Sequence, residues 1–144
     1  ALTKIDSDHK TVNNEGRLLD TSCYTNNHMC LSEQLTALVQ TSSTPQTLEI
    51  QAGKLVRQFR HIRMLEIAYC DIHHLQTIET SLLAVSQLAD SIINAAYTCL
   101  YEALCKRYGA PENNQPLLIM AMGKLGGNEL NFSSDIDLIF TYPE

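Results

Sequence analysis

The sequence predicts an α+β fold, a mostly helical N-terminal part followed by the first two strands of a sheet, and three observations carry that reading. Apolar residues recur every three or four positions from Leu48 to Tyr69 and again from Val85 to Leu104, the period of helices that bury one stripe. At Pro116 that period stops, and Leu117-Leu118-Ile119-Met120-Ala121-Met122 follows as a short apolar run bounded by Pro and Gly, which reads as a strand buried on both faces. After a glycine-rich turn, Asp135-Ile136-Asp137-Leu138-Ile139-Phe140 alternates and then becomes fully apolar, a second strand. The change of period favours α+β over a helical bundle.

In chain order, residues 1–46 read as a poorly ordered or short-helix lead-in. Residues 1–27 are rich in Thr, Ser, Asn and Asp and have neither period, so they read as loop. Leu31, Leu35, Leu38 and Val39 fit a short amphipathic helix ending at the Thr41–Thr44 breaker. A helical segment is expected over 47–112. Thr44 is a suitable N-cap, Pro45 suits the first helical position, and Leu48, Ala52, Leu55, Phe59, Ile62, Leu65 and Tyr69 then form the apolar stripe. Asp71 to Ile78 reads as a short helix or turn. Its adjacent His73 and His74 would point about 100° apart on a helix, a poor geometry for sharing one metal. The second stripe comprises Val85, Leu88, Ala89, Ile92, Ile93, Ala96, Leu100, Ala103 and Leu104. It stops in good order, with Lys106 and Arg107 in the last turn, Gly109 as a left-handed terminator and Pro111 blocking continuation. Residues 113–144 are read as the start of a catalytic core.

Composition narrows the function. The 144 residues, 44% hydrophobic and 18% charged, can bury a core without staples. A formal charge of −6 argues against a nucleic-acid coat, which needs clustered positive charge. No apolar run approaches the ~18–20 residues of a membrane span, and no secretory signal is visible, so a cytoplasmic protein is expected. Cys23, Cys30, Cys70, Cys99 and Cys105 are an odd, dispersed set without a C-x-x-C pair, and read as reduced, mostly core thiols. Ala1 in place of Met and the stop at Glu144 read as cut ends. Lys54, Arg57, Arg60 and Arg63 give residues 47–63 a local excess of positive charge. They form either a solvated helix face or a patch facing a phosphate-bearing ligand or an acidic partner.

The chemistry concentrates between Gly123 and Asp137. On a strand, Asp135 and Asp137 share a face with backbones about 6.5 to 7 Å apart, and two carboxylates so held can bracket a hard divalent cation such as Mg²⁺. Gly123, Gly126 and Gly127 allow close backbone approach to a phosphate, and a short helix after them would add N–H groups. Isolated D-x-D pairs are common. Two charges inside a buried strand, however, cost several kcal/mol unless a metal or partners compensate, which favours a functional pair.

This spacing resembles the DNA polymerase β-type nucleotidyltransferase signature: an apolar residue, Gly, then Ser or Gly, about ten residues, and an acidic pair flanking one apolar residue. Gly123 and Lys124 stand at the Gly and Ser positions, ten residues before Asp135, with Lys124 departing from the broad pattern. Gly123-Lys124-Leu125-Gly126-Gly127, Glu129-Leu130-Asn131 and Ser133-Ser134-Asp135-Ile136-Asp137-Leu138-Ile139-Phe140 are similar to a narrower family. That family is the bacterial bifunctional glutamine synthetase adenylyltransferase/adenylyl-removing enzymes. Upstream, Phe59-Arg60 with Arg63, Ile67-Ala68, Asp71-Ile72, Ser86-Gln87-Leu88-Ala89-Asp90 and Arg107-Tyr108-Gly109 agree, whereas Cys70 stands where the family commonly has arginine.

Asn131-Phe132-Ser133-Ser134 with Tyr142-Pro143-Glu144 is more similar to the N-terminal, adenylyl-removing half of that family. The resemblance implies phosphorolysis of an adenylylated tyrosine on glutamine synthetase, with Asp135 and Asp137 as catalytic residues holding Mg²⁺. Gly123, Gly126 and Gly127 would shape the phosphate loop. Lys124 would either neutralise phosphate charge or remain solvated, and Ser133 and Ser134 would donate to phosphate oxygens or cap a turn. Implied partners are adenylylated glutamine synthetase, a PII-type signal protein, ADP or ATP, and phosphate. A third carboxylate would lie on a later strand beyond Glu144, leaving this segment alone inactive. Two alternatives are the adenylyl-transferring half and a non-catalytic helical module that docks glutamine synthetase or a PII-type protein. Another polymerase β-type enzyme, such as a uridylyltransferase, fits the Gly-Lys-Leu-Gly-Gly wording less well.

Overall fold

A computed structural model describes residues 31–42, 44–111 and 117–142. The expectations for the lead-in 1–30, for Cys23 and Cys30, and for Pro143 and Glu144 lie outside the described residues. Helix α1 spans Leu31–Thr41, α2 Pro45–Ile72 and α3 Ile78–Tyr108; strand β1 (Leu118–Ala121), the single turn α4 (Gly123–Gly126) and strand β2 (Leu138–Thr141) follow. The α+β class holds. Among the described residues no helix is long and apolar enough to cross a membrane.

The predicted helix signals work as chemistry. Thr44 is extended and its Oγ1 accepts from the Thr47 N–H at 3.2 Å, with Pro45 at the first helical position. Thr77 caps α3 in the same way, accepting from the Thr80 N–H at 3.3 Å. The Glu79 carboxyl in the first turn of α3 is held below the ordinary carboxylate range by its backbone hydrogen bond and then by the Thr77 side chain. At the other end, Gly109 adopts φ +87° and its N–H donates to the Cys105 carbonyl. The link between α2 and α3 is closed by buried Ser81, whose hydroxyl donates to Asp71 Oδ1 at 2.7 Å and accepts from Gln76 Nε2 at 2.9 Å.

Two buried clusters run along α3. One joins Leu31, Leu35 and Val39 of α1 to Leu48, Ala95 and Cys99; the other joins Ile67, Val85 and Leu88 to Leu125 and Leu130. Phe59 and Ile92 pack against both, so α2 runs back along α3 with its start near the α3 C-terminal half. Cys99 is buried and Cys70 and Cys105 half-buried; burial first, and then the Glu102 charge, push the Cys99 thiol up.

The α2 stripe is corrected in its second half. Leu48, Ala52, Leu55 and Phe59 face the core as expected, but Ile62, Leu65 (71% exposed) and Tyr69 do not, and Met64 and Ile67 take their place. Stepping by four from Phe59 through Arg63 to Ile67 follows the neighbouring helix, whereas Ile62, Leu65, Tyr69 and Ile72 continue a separate exposed apolar row. Leu100 and Leu104 of α3 are likewise exposed.

The strands are antiparallel, with Leu118 opposite Thr141, Ile119 opposite Phe140, Met120 opposite Ile139 and Ala121 opposite Leu138. The expectation that β1 is buried on both faces is not met: its residues alternate between exposed and half-buried, with Ala121 and its partner Leu138 packed against the cluster of Ile67, Val85, Leu88, Leu125 and Leu130 while Leu118 and Met120 stay exposed.

Candidate functional site

Asp135 and Asp137 precede β2 rather than lying inside it, and both are exposed. The expected cost of burying two charges in a strand is therefore absent and carries no weight for their role. The pairing still reaches them: the Met122 N–H donates to the Asp137 carbonyl at 2.9 Å, extending the register one step beyond Ala121 and Leu138. By the two-residue alternation Asp137 falls on the open face with Met120, Met122 and Ile139. Asp135 borders a cleft of about 260 Å³ between α2, α3 and residues 130–136, whose walls include Met64, Leu88, Ile93 and Phe132.

The glycine-rich turn joins β1 to this pair for two different steric reasons. Gly123 has φ +57°, a left-handed conformation in which side chains are disfavoured, and it turns the end of β1 into α4. Gly126 has no room for a side chain, since a Cβ there would lie 2.6 Å from the Ala121 carbonyl oxygen. Gly127 meets only the flexible Glu129 side chain. Buried Leu125 anchors the turn, and exposed Lys124 sits beside it.

Asn131, which the sequence reading quotes within motifs but gives no role of its own, organises the approach to the acidic pair. Its Oδ1 accepts from the Ser133 N–H (3.1 Å), the Ser133 hydroxyl (3.2 Å) and the Ser134 hydroxyl (2.7 Å), while its N–H donates to Ser134 Oγ at 3.2 Å. Of the two roles open for Ser133 and Ser134, turn capping is the one their hydroxyls perform here. The signal was available, because Asn followed two and three residues later by Ser is a turn-forming pattern.

The basic residues of α2 have different neighbours. Arg60 lines the cleft with Ser134 and Asp135, Arg63 pairs with Glu66 at 2.8 Å, and Lys54 lines a separate groove against α1. Among the described residues no group of three or more His, Cys, Asp or Glu side chains could hold a metal. A pair of exposed carboxylates nonetheless suits Mg²⁺, which keeps several waters and binds through one or two carboxylates plus substrate phosphate oxygens.

Comparison with known proteins gives a consistent result. A family model described as glutamate-ammonia ligase adenylyltransferase matches residues 9–144. The chain is 51% identical over 100 residues to a bifunctional glutamine synthetase adenylyltransferase/adenylyl-removing enzyme of Vibrio parahaemolyticus, covering 67% of this chain and 11% of that protein. It is 50% identical over 102 residues to the protein of the same name from Shewanella oneidensis, covering 68% and 11%. With that of Haemophilus ducreyi it is 46% identical over 117 residues, covering 78% and 12%. The chain thus spans about a tenth of the length of the curated relatives it matches, and by its sequence it belongs to the glutamate-ammonia ligase adenylyltransferase family.

Proposed function

We propose that this segment supplies the metal-binding pair and phosphate turn of an enzyme that controls glutamine synthetase by reversible adenylylation of a tyrosine, and that it belongs to the adenylyl-removing half. The observation that carries this reading is the placement of Asp137 on an open sheet face, tied through the Met122 N–H to the turn that begins at Gly123. Asp135 and Asp137 would hold Mg²⁺, which when bound stabilises charge on the phosphoryl oxygens and the leaving group. The first turn of α4 leaves its leading N–H groups without partners inside the helix, and with Lys124 beside them they would be the groups to meet incoming phosphate.

In the proposed reaction an oxygen of inorganic phosphate forms a bond to the AMP phosphorus, and the bond from that phosphorus to the tyrosyl oxygen breaks. The phenolate leaves with the electron pair and takes a proton from water, while ADP departs. A phenol with a pKa of about 10 is a better leaving group than an alkoxide, which suits a reversible tag on tyrosine.

The test is a full-length enzyme carrying this segment, assayed for ADP release from adenylylated glutamine synthetase plus phosphate. Asp135→Asn with Asp137→Asn should abolish release while glutamine synthetase still binds; retained release refutes the metal-pair role, and lost binding favours the helical docking module. Diphosphate release from ATP and unmodified glutamine synthetase that depends on these same two residues would instead assign the adenylyl-transferring half.

A further inference from the structure

Ser86 is a polar side chain with no solvent exposure, in the first third of α3. Its hydroxyl donates to the Leu82 carbonyl at 2.9 Å, as many helical serines do, and its oxygen also accepts from the Leu130 N–H at 3.0 Å. Leu130 is itself buried, so the segment before the acidic pair is pinned to α3 at one backbone atom. From that pin the order passes directly forward. Asn131 and Ser134 exchange hydrogen bonds through the Asn131 N–H, the Ser134 N–H to the Asn131 carbonyl (3.2 Å) and the Ser134 hydroxyl to Asn131 Oδ1, and Asp135 is the next residue. On the far side, the Met122 N–H fixes the Asp137 carbonyl.

We propose that Ser86 is a positioning residue for the acidic pair: through the Leu130 N–H and the closed Asn131–Ser134 turn it fixes where Asp135 presents its carboxylate. This rests on the reading of Asp135 and Asp137 as the Mg²⁺-holding pair. Removing the Ser86 hydroxyl leaves a buried N–H unpaired, and the segment relaxes by moving away from α3. Asp135 then moves relative to Asp137, which stays on its own strand bond. A misplacement of about 1 Å near a reacting centre can cost a hundredfold in rate.

The experiment uses the full-length enzyme with Ser86→Ala, Asn131→Ala, the double variant, Asp135→Asn, and Ser91→Ala as control. Ser91 gives the same kind of bond, to the Gln87 carbonyl at 2.8 Å, from the exposed side of α3. The readouts are the Mg²⁺ concentration at half-maximal phosphorolysis, kcat, and the melting temperature. Ser86→Ala and Asn131→Ala should each raise the Mg²⁺ requirement about tenfold or more, the double variant should do no worse than the worse single, and Ser91→Ala should match the parent. A Ser86→Ala enzyme that melts earlier yet keeps the parent Mg²⁺ requirement overturns the proposal, as does a double variant whose effects multiply. Should Ser86→Ala fail to fold, an unchanged Mg²⁺ requirement in Asn131→Ala overturns it alone. Full activity in Asp135→Asn would instead refute the metal-pair reading, whatever Ser86 does.

Discussion

The helical region from Leu31 to Tyr108 and the strand region from Leu117 to Tyr142 solve the problem of covering apolar surface differently. Three helices bury Leu31, Leu35, Val39, Leu48, Ala95 and Cys99 against one another, each closing a face that its neighbours leave open. The two strands cannot do the same. A two-stranded sheet has two faces, and the cluster of Ile67, Val85, Leu88, Leu125 and Leu130 reaches only one, through Ala121 and Leu138, so Met120, Met122 and Ile139 stay exposed. The proposed metal pair lies in the region whose packing is incomplete, and Asp137 stands on the uncovered side. The helical core and the proposed site are thus housed separately, with Ser86 and Leu125 among the links between them.

That separation can be broken at several points. The largest expected effect is on catalysis: Asp135→Asn with Asp137→Asn in the full-length enzyme should lower phosphorolysis by about a thousandfold or more, the loss of several kcal/mol of charge stabilisation. The helical signal in a thermal melt should be unchanged. Leu35→Ala inverts the pattern. At 1% exposure in the α1–α2–α3 cluster it should cost about 2–5 kcal/mol of stability, measured by urea unfolding of this 144-residue chain.

Gly126→Ala tests the strand region alone. Its Cβ would press on the Ala121 carbonyl oxygen, and forced repacking of that kind costs about 1–3 kcal/mol. Amide hydrogen exchange should quicken over residues 118–138 while α1 and the first half of α2 keep their protection. Exchange that quickens everywhere would show the two regions to be one cooperative unit. A smaller effect belongs to Asn128, at φ +57°: Asn128→Ala should destabilise by about 1 kcal/mol and Asn128→Gly should be close to neutral, read from the same denaturation curves.

The smallest effect is titratable. The Glu79 carboxyl is depressed by hydrogen bonds at the start of α3, so its contribution is present above its ordinary pKa and is lost as pH falls through the lower folded value. Glu79→Gln should therefore lower the melting temperature slightly at neutral pH and not at all at strongly acidic pH.

Helix ends were legible because they depend on local chemistry: Thr44, Pro45, Gly109 and the Lys106–Arg107 turn all act where the sequence places them. Beyond Phe59 the α2 stripe misled, because two apolar rows share that helix and only contact with α3 decides which is buried. The glycine turn was readable, but the difference between Gly123, which needs a left-handed backbone, and Gly126, which needs space, was not. Spacing alone singles out Asp135 and Asp137 as the proposed pair; the added argument from buried charge fails, since a continuous apolar run does not say how many neighbours a strand has. Ser86 stands in a motif shared with the family, but nothing local shows its bond, because its partner Leu130 lies 44 residues away in the chain.

The single bond from the Met122 N–H to the Asp137 carbonyl sets where this region tolerates a change of length. At Gly127, Asn128 and Glu129, all exposed and ahead of the Leu130 anchor, an inserted residue would bulge outward and leave both acids where they are. One residue inserted between Asp137 and Leu138 would instead move the Asp137 carboxylate from the solvent side to the side packed on α3. Natural or engineered indels should therefore accumulate at the first position and be absent from the second, a pattern a deletion and insertion scan would expose without any structural measurement.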